Sequence, residues 1–222
     1  MNNKKKIYIV LALMAVTLLG ITVYYWYNNA YYVKTEDARV DGAIVRVSPQ
    51  VSGRIISINV EEGDKVVAGQ ALVRLDDTLL PPGTNPDLAV ARAPADGVVI
   101  KKIANPGEMA VPGQTMLMII DPFSLYITAN VEETKLASVR PGQKVDVTVD
   151  AIPGQKFAGR VEKIGEASLS TFSLLPATNT SGNFTKVVQR IPVKIVVKDF
   201  KGRQFLYGTN AFVKIYIKQV VG

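Results

Sequence analysis

The sequence of 222 residues contains no cysteine and no histidine. Without cysteine the chain cannot form disulfides, attach haem, use a thiol nucleophile or be acylated as a lipoprotein. Without histidine it lacks a common zinc ligand and the base of every Ser-His-Asp arrangement. These absences remove most familiar enzyme chemistry. The sequence therefore predicts a protein that is not an enzyme, with no catalytic, cofactor-binding or metal-binding residues.

A large excess of charge of one sign is also missing from the body of the chain. The formal net charge is +7, but three of the positive charges belong to Lys4, Lys5 and Lys6. The remaining excess of about +4 is too small to indicate a nucleic-acid-binding surface. We therefore expect no nucleic-acid partner.

The first long apolar run begins directly after these lysines, and no charged side chain occurs between Ile7 and Val33. As a helix, residues 7–27 would cover roughly 30 Å, the thickness of the hydrocarbon core of a bilayer. Its end is rich in the aromatic residues of a membrane interface. These are Tyr24, Tyr25, Trp26, Tyr27, Tyr31 and Tyr32. The pattern predicts one transmembrane helix at residues 7–27.

The lysines also predict the direction of this helix. Because positive residues stay inside, residues 1–6 are expected to be a cytoplasmic tail of a single-pass protein of the cytoplasmic membrane, with an extracytoplasmic body. A cleaved signal peptide is the alternative. It would have a shorter apolar core and a cleavage site of small residues rather than a cluster of tyrosines.

Beyond Val33 the pattern changes to short alternating apolar runs separated by turn residues, which is typical of β-strands. Residues 144–150 alternate strictly, so their three valines should face one side of a strand. Residues 193–197 and 211–217 are similar runs. Gly-Gln pairs recur where turns between strands are expected. They lie at residues 69–70, 113–114, 142–143 and 154–155.

One short helix is predicted within this β-rich body. Asn130 is suited to cap it, and Glu133 follows three residues later as in a capping box. Pro141 would end the helix after Arg140. We expect two or three helical turns.

An internal duplication is the most informative feature of the body. One set of turn residues is repeated with the same spacing between its three glycines. The set Pro49, Gly53, Gly63, Gly69 and Asp76 is matched by Pro94, Gly97, Gly107, Gly113 and Asp121. Two similar halves are expected to pack as one β-sandwich. The glycines are interpreted as turn residues rather than as a phosphate-binding loop.

This paired pattern resembles the biotinyl/lipoyl domain, which joins two similar halves. In carrier versions the halves meet at a hairpin that presents a lysine, whereas in membrane fusion proteins a long helical hairpin separates them. The connecting loop here, residues 77–91, contains no lysine, which argues against a carrier. Its three prolines and one glycine argue against a helical hairpin.

Further segments are similar to HlyD-like membrane fusion proteins, specifically the EmrA-like branch of periplasmic adaptors for multidrug efflux. They are residues 35–42, 129–136 and 187–193. The resemblance implies a mainly β fold with a transmembrane helix, a biotinyl/lipoyl-like sandwich and a C-terminal β-barrel. The expected divisions are a linker and first barrel strand at 28–43, the sandwich at 44–120 and the barrel domain at 121–222.

The same resemblance implies a function without cofactors. The chain would be a membrane-anchored adaptor of a multidrug efflux pump, assisting a major facilitator exporter in the same membrane and forming homo-oligomers. An adaptor for an ABC exporter of peptides or proteins is an alternative, and a lipoyl or biotinyl carrier subunit is another. Lacking the hairpin, the chain is expected to work in a cell with a single membrane or only at the outer mouth of the exporter.

Four residues are candidates for contact with a partner. Arg190, inside an apolar strand, could bind a carboxylate of the partner through its planar guanidinium, although an exposed strand-face arginine is the simpler interpretation. Phe172, Leu174 and Leu175 interrupt a polar stretch, residues 168–185, that reads as a long loop. The acidic pairs at 61–62, 76–77 and 132–133 are expected to be solvated turns or a helix start, because neighbours in a strand point to opposite faces.

Overall fold

The computed structural model describes residues 3–78, 83, 85–168, 188–198 and 205–217, with side chains from residue 7 onward. The chain divides into two compact units. One comprises residues 1–40, 126–203 and 208–222, and the other comprises residues 41–125 and 204–207. The fold is mainly β with an N-terminal apolar helix, which confirms the predicted fold class.

The N-terminal helix, α1, covers Asn3–Tyr31. Its segment Ile7–Tyr31 has a mean hydropathy of 2.4 and none of it is buried within the protein, so its length and composition allow it to cross a membrane. The hydroxyl groups inside the apolar run are satisfied by the helix itself. Thr17 Oγ1 donates to the carbonyl of Leu13 at 3.1 Å, and Thr22 Oγ1 donates to that of Leu18 at 2.8 Å. Such internal pairing suits a helix surrounded by lipid.

The first strand, β1 (Tyr32–Asp41), follows the helix without a break. The next eight strands of the described chain build the sandwich. They are β2 (Ile44–Val47), β3 (Gly53–Ile58), β4 (Lys65–Val66), β5 (Ala71–Leu75), β6 (Val90–Arg92), β7 (Gly97–Lys102), β8 (Met109–Ala110) and β9 (Leu117–Ile120). One sheet has the order β2-β9-β7-β4 and the other β6-β5-β3-β8.

The two halves of the duplication exchange their shortest strands. β4 of the first half pairs with β7 of the second, and β8 of the second half pairs with β3 of the first. The sheets enclose an apolar core in which Ile55, Leu72, Leu75 and Ile119 are at most 1% exposed. The predicted sandwich of two similar halves is confirmed, and each half pairs one of its strands with a strand of the other half.

The Gly-Gln pairs form turns, as predicted. Gly69 has a φ of +82°, which the third position of a type II turn requires and which glycine adopts without steric cost. The backbone N–H of Val67 donates to Gln70 Oε1 at 3.1 Å, and that of Val111 donates to Gln114 Oε1 at 3.2 Å in the second half. Glutamine therefore follows glycine because its side chain satisfies the first amide of the turn.

The remaining strands close a barrel with β1. They are β10 (Tyr126–Glu132), β11 (Lys144–Val149), β12 (Phe157–Ile164), β13 (Arg190–Val197) and β14 (Asn210–Tyr216). The order around the barrel is β1-β10-β13-β12-β11-β14. In β11, Val145, Val147 and Val149 are buried, which confirms the alternation predicted for residues 144–150. Phe157 of β12 is completely buried in the same unit.

The predicted helix near Asn130 is wrong in its cap and its length. Helix α2 covers Glu133–Leu136, a single turn, and Glu132 occupies the cap position without a side-chain hydrogen bond. Asn130 instead lies within β10, opposite Pro192 of β13. The pairing of β10 with β13 continues to Glu132, so this non-local ladder carries the chain past the predicted cap in an extended conformation.

The connection between β5 and β6 runs from residue 76 to residue 89, which is too short for a long helical hairpin. The part described there ends in a 3-10 turn, Pro86–Ala89. Asn85 caps this turn, because its Oδ1 accepts the backbone N–H of Asp87 at 2.9 Å. The two strands that flank this connection, β5 and β6, are antiparallel neighbours.

Candidate functional site

A polar cleft of about 550 Å³ opens in the barrel unit, and we call it the barrel cleft. It is formed where β1, β10 and β13 lie side by side and where α2 leaves β10. Its polar and charged lining residues are Lys34, Thr35, Glu36, Asp37, Asn130, Glu132, Lys135 and Arg190. The cleft thus brings together residues that are far apart in the sequence.

A break in the register of β1 shapes one wall of this cleft. The pairing of β1 with β14 shifts between Thr35 and Ala38, as in a β-bulge. Thr35 Oγ1 donates to the carbonyl of Asn130 at 2.9 Å and accepts the backbone N–H of Asp37 at 3.2 Å. Asn130 Nδ2 in turn donates to Asp37 Oδ1 at 2.9 Å. The irregular strand therefore holds the Asp37 carboxylate against β10.

Arg190 reaches the same carboxylate from β13. Its guanidinium donates to Asp37 Oδ2, and the two side chains are 49% and 42% exposed. Arg190 is therefore paired within the chain and also open to solvent on one side. The other predicted contact residues, Phe172, Leu174 and Leu175, lie outside the described residues.

The second ion pair of the cleft joins Lys135 and Glu132. Their charged groups are 2.8 Å apart. The hydrogen bond and charge of Lys135, with a smaller effect of Arg190, hold the pKa of Glu132 below its usual value. A carboxyl group with a lowered pKa stays ionised near neutral pH and is a poor general acid. The arrangement is suited to binding through charge and hydrogen bonds rather than to proton transfer.

A smaller pocket of about 410 Å³ lies between the end of α1 and the barrel, and we call it the aromatic pocket. It is lined by Tyr24, Tyr25, Asn28, Asn29, Tyr32, Lys34 and Lys135.

Two residues of β14 contact the ring of Tyr32. Lys214 Nζ lies 3.6 Å from its centroid, and the ring of Tyr216 lies edge-on at 5.2 Å. On the helix side, Lys34 Nζ donates to Asn28 Oδ1 at 2.9 Å.

Sequence reasoning identified Arg190 but missed the residues that position it. In the sequence, Asp37 stands out only as part of segment 35–42, which is similar to membrane fusion proteins, and the local pattern at Asn130 predicts a helix cap. The signal for both is a pairing across 153 and 93 residues of sequence, which no local pattern reveals. In the part of the chain that the structure describes, no group of three or more Asp, Glu, His or Cys residues could hold a metal ion.

Comparison with known proteins matches both units to described families. Residues 43–122 match the model "RND MFP, barrel-sandwich hybrid domain", where MFP denotes membrane fusion protein. Residues 124–216 match the model "AAEA-like beta-barrel domain".

Two relatives differ in how much of their length the chain covers. The chain is 37% identical over 188 residues to YhbJ of Bacillus subtilis, which is named as an efflux system component. The aligned residues cover 85% of this chain and 81% of the relative. It is also 36% identical over 104 residues to the multidrug export protein EmrA of Escherichia coli. Here the aligned residues cover 46% of this chain and 27% of that protein. The chain therefore spans only about a quarter of this second relative.

Among solved structures, the periplasmic adaptor protein EmrA has the same fold. The TM-score is 0.57 at 18% identity, and the match covers 83% of this chain and 98% of that one. The match to YhbJ over most of both chains and the two domain matches agree with each other. The chain therefore belongs to the membrane fusion protein family, with a barrel-sandwich hybrid domain followed by an AAEA-like β-barrel domain.

Proposed function

We propose that this chain is the membrane-anchored adaptor subunit of a multidrug efflux pump and that it has no enzymatic activity of its own. The observation that carries the proposal is the order of its parts. The chain contains an apolar helix, a sandwich and a barrel. It also matches an efflux system component over 85% of its own length. The name of the E. coli relative, a multidrug export protein, supports the class of cargo.

The membrane helix would hold the body at the outer face of the cytoplasmic membrane. Lys4, Lys5 and Lys6 precede the apolar run, and positive residues favour the cytoplasmic side. Residues 1–6 would then be the cytoplasmic tail and residues 7–27 the membrane-spanning part. The boundaries 28–43, 44–120 and 121–222 remain our proposal for the linker with the first barrel strand, the sandwich and the barrel domain.

The partner in this proposal is an exporter of the major facilitator type in the same membrane. The barrel directly follows the membrane helix through β1, so the barrel cleft would lie close to the outer surface of such an exporter. Arg190 is half-exposed, and its guanidinium carries five N–H donors in a fixed plane. We propose that Arg190 contacts the exporter, and that Phe172, Leu174 and Leu175 contact the exporter or a second copy of the chain.

A helical hairpin has no place in this mechanism. The connection from residue 76 to residue 89 has too few residues for a long helical hairpin. The adaptor would therefore stabilise the assembly at the outer mouth of the exporter without reaching a second membrane. Self-association would use faces of the barrel and the sandwich.

Deletion of this chain in cells that retain the exporter tests the proposal. We expect accumulation of an exported dye or drug to rise to the level of cells that lack the exporter. Expression of the full chain should restore efflux, whereas a secreted form without residues 1–31 should not. Unchanged efflux in the deletion strain would contradict an adaptor role.

The class of exporter can be tested by photo-crosslinking in the same cells. A crosslinking amino acid at Arg190 should capture a major facilitator protein, and the same amino acid at exposed Lys65 of the sandwich is the matched control. Capture of an ABC exporter from the Arg190 position instead would keep the adaptor role and replace the partner.

A further inference from the structure

We propose that the aromatic pocket binds the phosphate headgroup of an anionic phospholipid. This inference rests on the proposed membrane anchoring of α1, and it adds a lipid ligand that the adaptor role does not require. The ligand would connect the membrane helix to the barrel at one site. Three observations support it: the position of the pocket relative to the membrane, the charge of its lining residues and the arrangement of its hydrogen-bond donors.

The pocket would lie at the level of the lipid headgroups. If the hydrocarbon core begins at Ile7, about 20 residues cross it and the helix leaves it near Trp26. At about 1.5 Å per residue, Asn28 and Asn29 lie roughly 3–5 Å farther out, within the headgroup region. Lys34 is fixed to this level by its hydrogen bond to Asn28.

The charge of the lining is of one sign. Two of the seven lining residues are lysines, Lys34 and Lys135, and none is a carboxylate. Lys214, which does not line the pocket, adds a third positive charge in contact with the ring of Tyr32. The barrel cleft differs in this respect, because its positive residues are accompanied by Glu36, Asp37 and Glu132. An anion is therefore favoured in the aromatic pocket and not in its neighbour.

The donors of the pocket match a phosphate group better than other ligands. The two lysine ammonium groups, the asparagine amides and the tyrosine hydroxyls can all donate hydrogen bonds to phosphate oxygens. The tyrosine rings supply apolar surface for the glycerol backbone and the upper acyl chains, as aromatic residues do at membrane interfaces. Lys135 is also paired with Glu132, so a headgroup would share this lysine with the barrel cleft.

The only tryptophan of the sequence provides an internal reporter, because Trp26 follows Tyr25 of the pocket directly. The full chain would be reconstituted in vesicles of phosphatidylcholine and phosphatidylglycerol in which one lipid or the other carries brominated acyl chains. Bromine quenches tryptophan fluorescence at contact. Trp26 is exposed and does not itself line the pocket, so quenching reports the lipids at this end of the helix. The part of a lipid preference that disappears when the pocket lysines are replaced is the part assigned to the pocket.

We expect brominated phosphatidylglycerol to occupy the site about tenfold more strongly than brominated phosphatidylcholine, since each lysine near an anionic surface contributes severalfold. The variant K34Q/K135Q should reduce this preference to about twofold or less. The variant K144Q/K163Q removes the same charge from exposed barrel positions that do not line the pocket, and it should keep the preference.

The outcomes separate this inference from membrane anchoring. Equal quenching by the two lipids would overturn the headgroup site but leave α1 in the bilayer, whereas no quenching by either lipid would contradict the anchoring itself. Equal loss of preference in both lysine variants would mean that the general surface charge, and not the pocket, causes the lipid preference, and it would overturn the inference. Soluble glycerol phosphate in large excess should not remove the preference. If it does, the pocket binds free phosphate and the lipid assignment is wrong.

Discussion

The sandwich and the barrel are both antiparallel β-structures with apolar cores, but the sequence separation of their side-chain contacts differs. In the sandwich, turn amides are satisfied by side chains three residues away, as between Val67 and Gln70. In the barrel, Asp37 and Arg190 meet across 153 residues of sequence. Local contacts define turns in both units, since the backbone N–H of Arg140 donates to Gln143 Oε1 at 3.0 Å in the barrel, whereas the contact between Asp37 and Arg190 defines one wall of the barrel.

The two units also differ in what surrounds their polar contacts. In the described part of the sandwich, Lys102 Nζ donates to Glu61 Oε2 at 2.5 Å, and the Glu61 side chain is 71% exposed. The barrel contacts surround the barrel cleft and adjoin the aromatic pocket. Both sites described above therefore belong to the barrel unit.

The largest test of this comparison removes the main aromatic residue of the barrel core. Phe157 is completely buried, so Phe157→Ala should lower the free energy of unfolding of the barrel by about 3–5 kcal/mol. Hydrogen exchange should accelerate in β11 and β12, while the sandwich strands keep their rates, because the chain forms two compact units.

The matched variant for this test is Leu72→Ala in the sandwich core. It should accelerate exchange in β3 and β5 and leave the barrel unchanged. Faster exchange in both units after either substitution would contradict their independence.

The second test compares equivalent glycines in the two halves of the sandwich. A Cβ atom at Gly97 would lie 2.6 Å from both Ile119 Cγ2 and the carbonyl oxygen of Ile120, and a strand carbonyl cannot move away. At Gly53 the nearest atom, the carbonyl oxygen of Asp76, would be 3.2 Å away. We expect Gly97→Ala to cost about 2–3 kcal/mol and Gly53→Ala less than about 1 kcal/mol.

Denaturant midpoints of the two alanine variants measure this difference. Equal losses would mean that the two halves pack alike and that the structural asymmetry at these glycines has no energetic consequence. A larger loss at Gly53 would reverse the comparison between the halves.

The same two regions differ in how much of them could be predicted from the sequence. The repeat of the sandwich is visible because each turn needs a particular residue at a fixed spacing, such as glycine with positive φ followed by glutamine. The exchange of β4 and β8 between sheets was not predicted, because two-residue strands leave no periodic pattern. Local chemistry therefore predicted the turns, and burial decided which strands became neighbours.

The barrel was less predictable because its decisive contacts are distant in sequence. Asn130 has the residue type and spacing of a helix cap, and that local pattern was outweighed by pairing with Pro192 in β13. Arg190 was recognised as unusual in an apolar strand, but its partner Asp37 depends on a bulge in β1. Such a site becomes visible only when the barrel closes.

The third test concerns a polar contact on the barrel. Tyr216 donates to Asp146 Oδ2 at 2.6 Å, and this hydrogen bond, with a further effect of burial, raises the pKa of Tyr216 to about 12. Removing the hydroxyl by Tyr216→Phe should cost about 1 kcal/mol near pH 8. Thermal unfolding of both proteins measures this cost.

The pH dependence of that cost has a definite sign. Below pH 10, the usual pKa of tyrosine, both the folded and the unfolded chain hold the proton and the stabilisation is fully present. As the pH rises from about 10 to about 12, the unfolded chain releases the proton first, so the stabilisation is lost. The difference between the wild-type chain and Tyr216→Phe should shrink over this range. The same shrinkage in the Asp146→Asn background would mean that another group causes it.

The smallest expected effect belongs to the ion pair of the barrel cleft. Asp37 and Arg190 are each about half exposed, so water screens their attraction and we expect a coupling of about 0.5 kcal/mol between them. A double-mutant cycle of Asp37→Asn and Arg190→Gln measures this coupling, and high salt should weaken it further. A coupling above about 2 kcal/mol would mean that the pair acts as a buried cross-link of β1 and β13. In that case the main role of Arg190 would be to stabilise the barrel, which would contradict the proposal that it contacts the exporter.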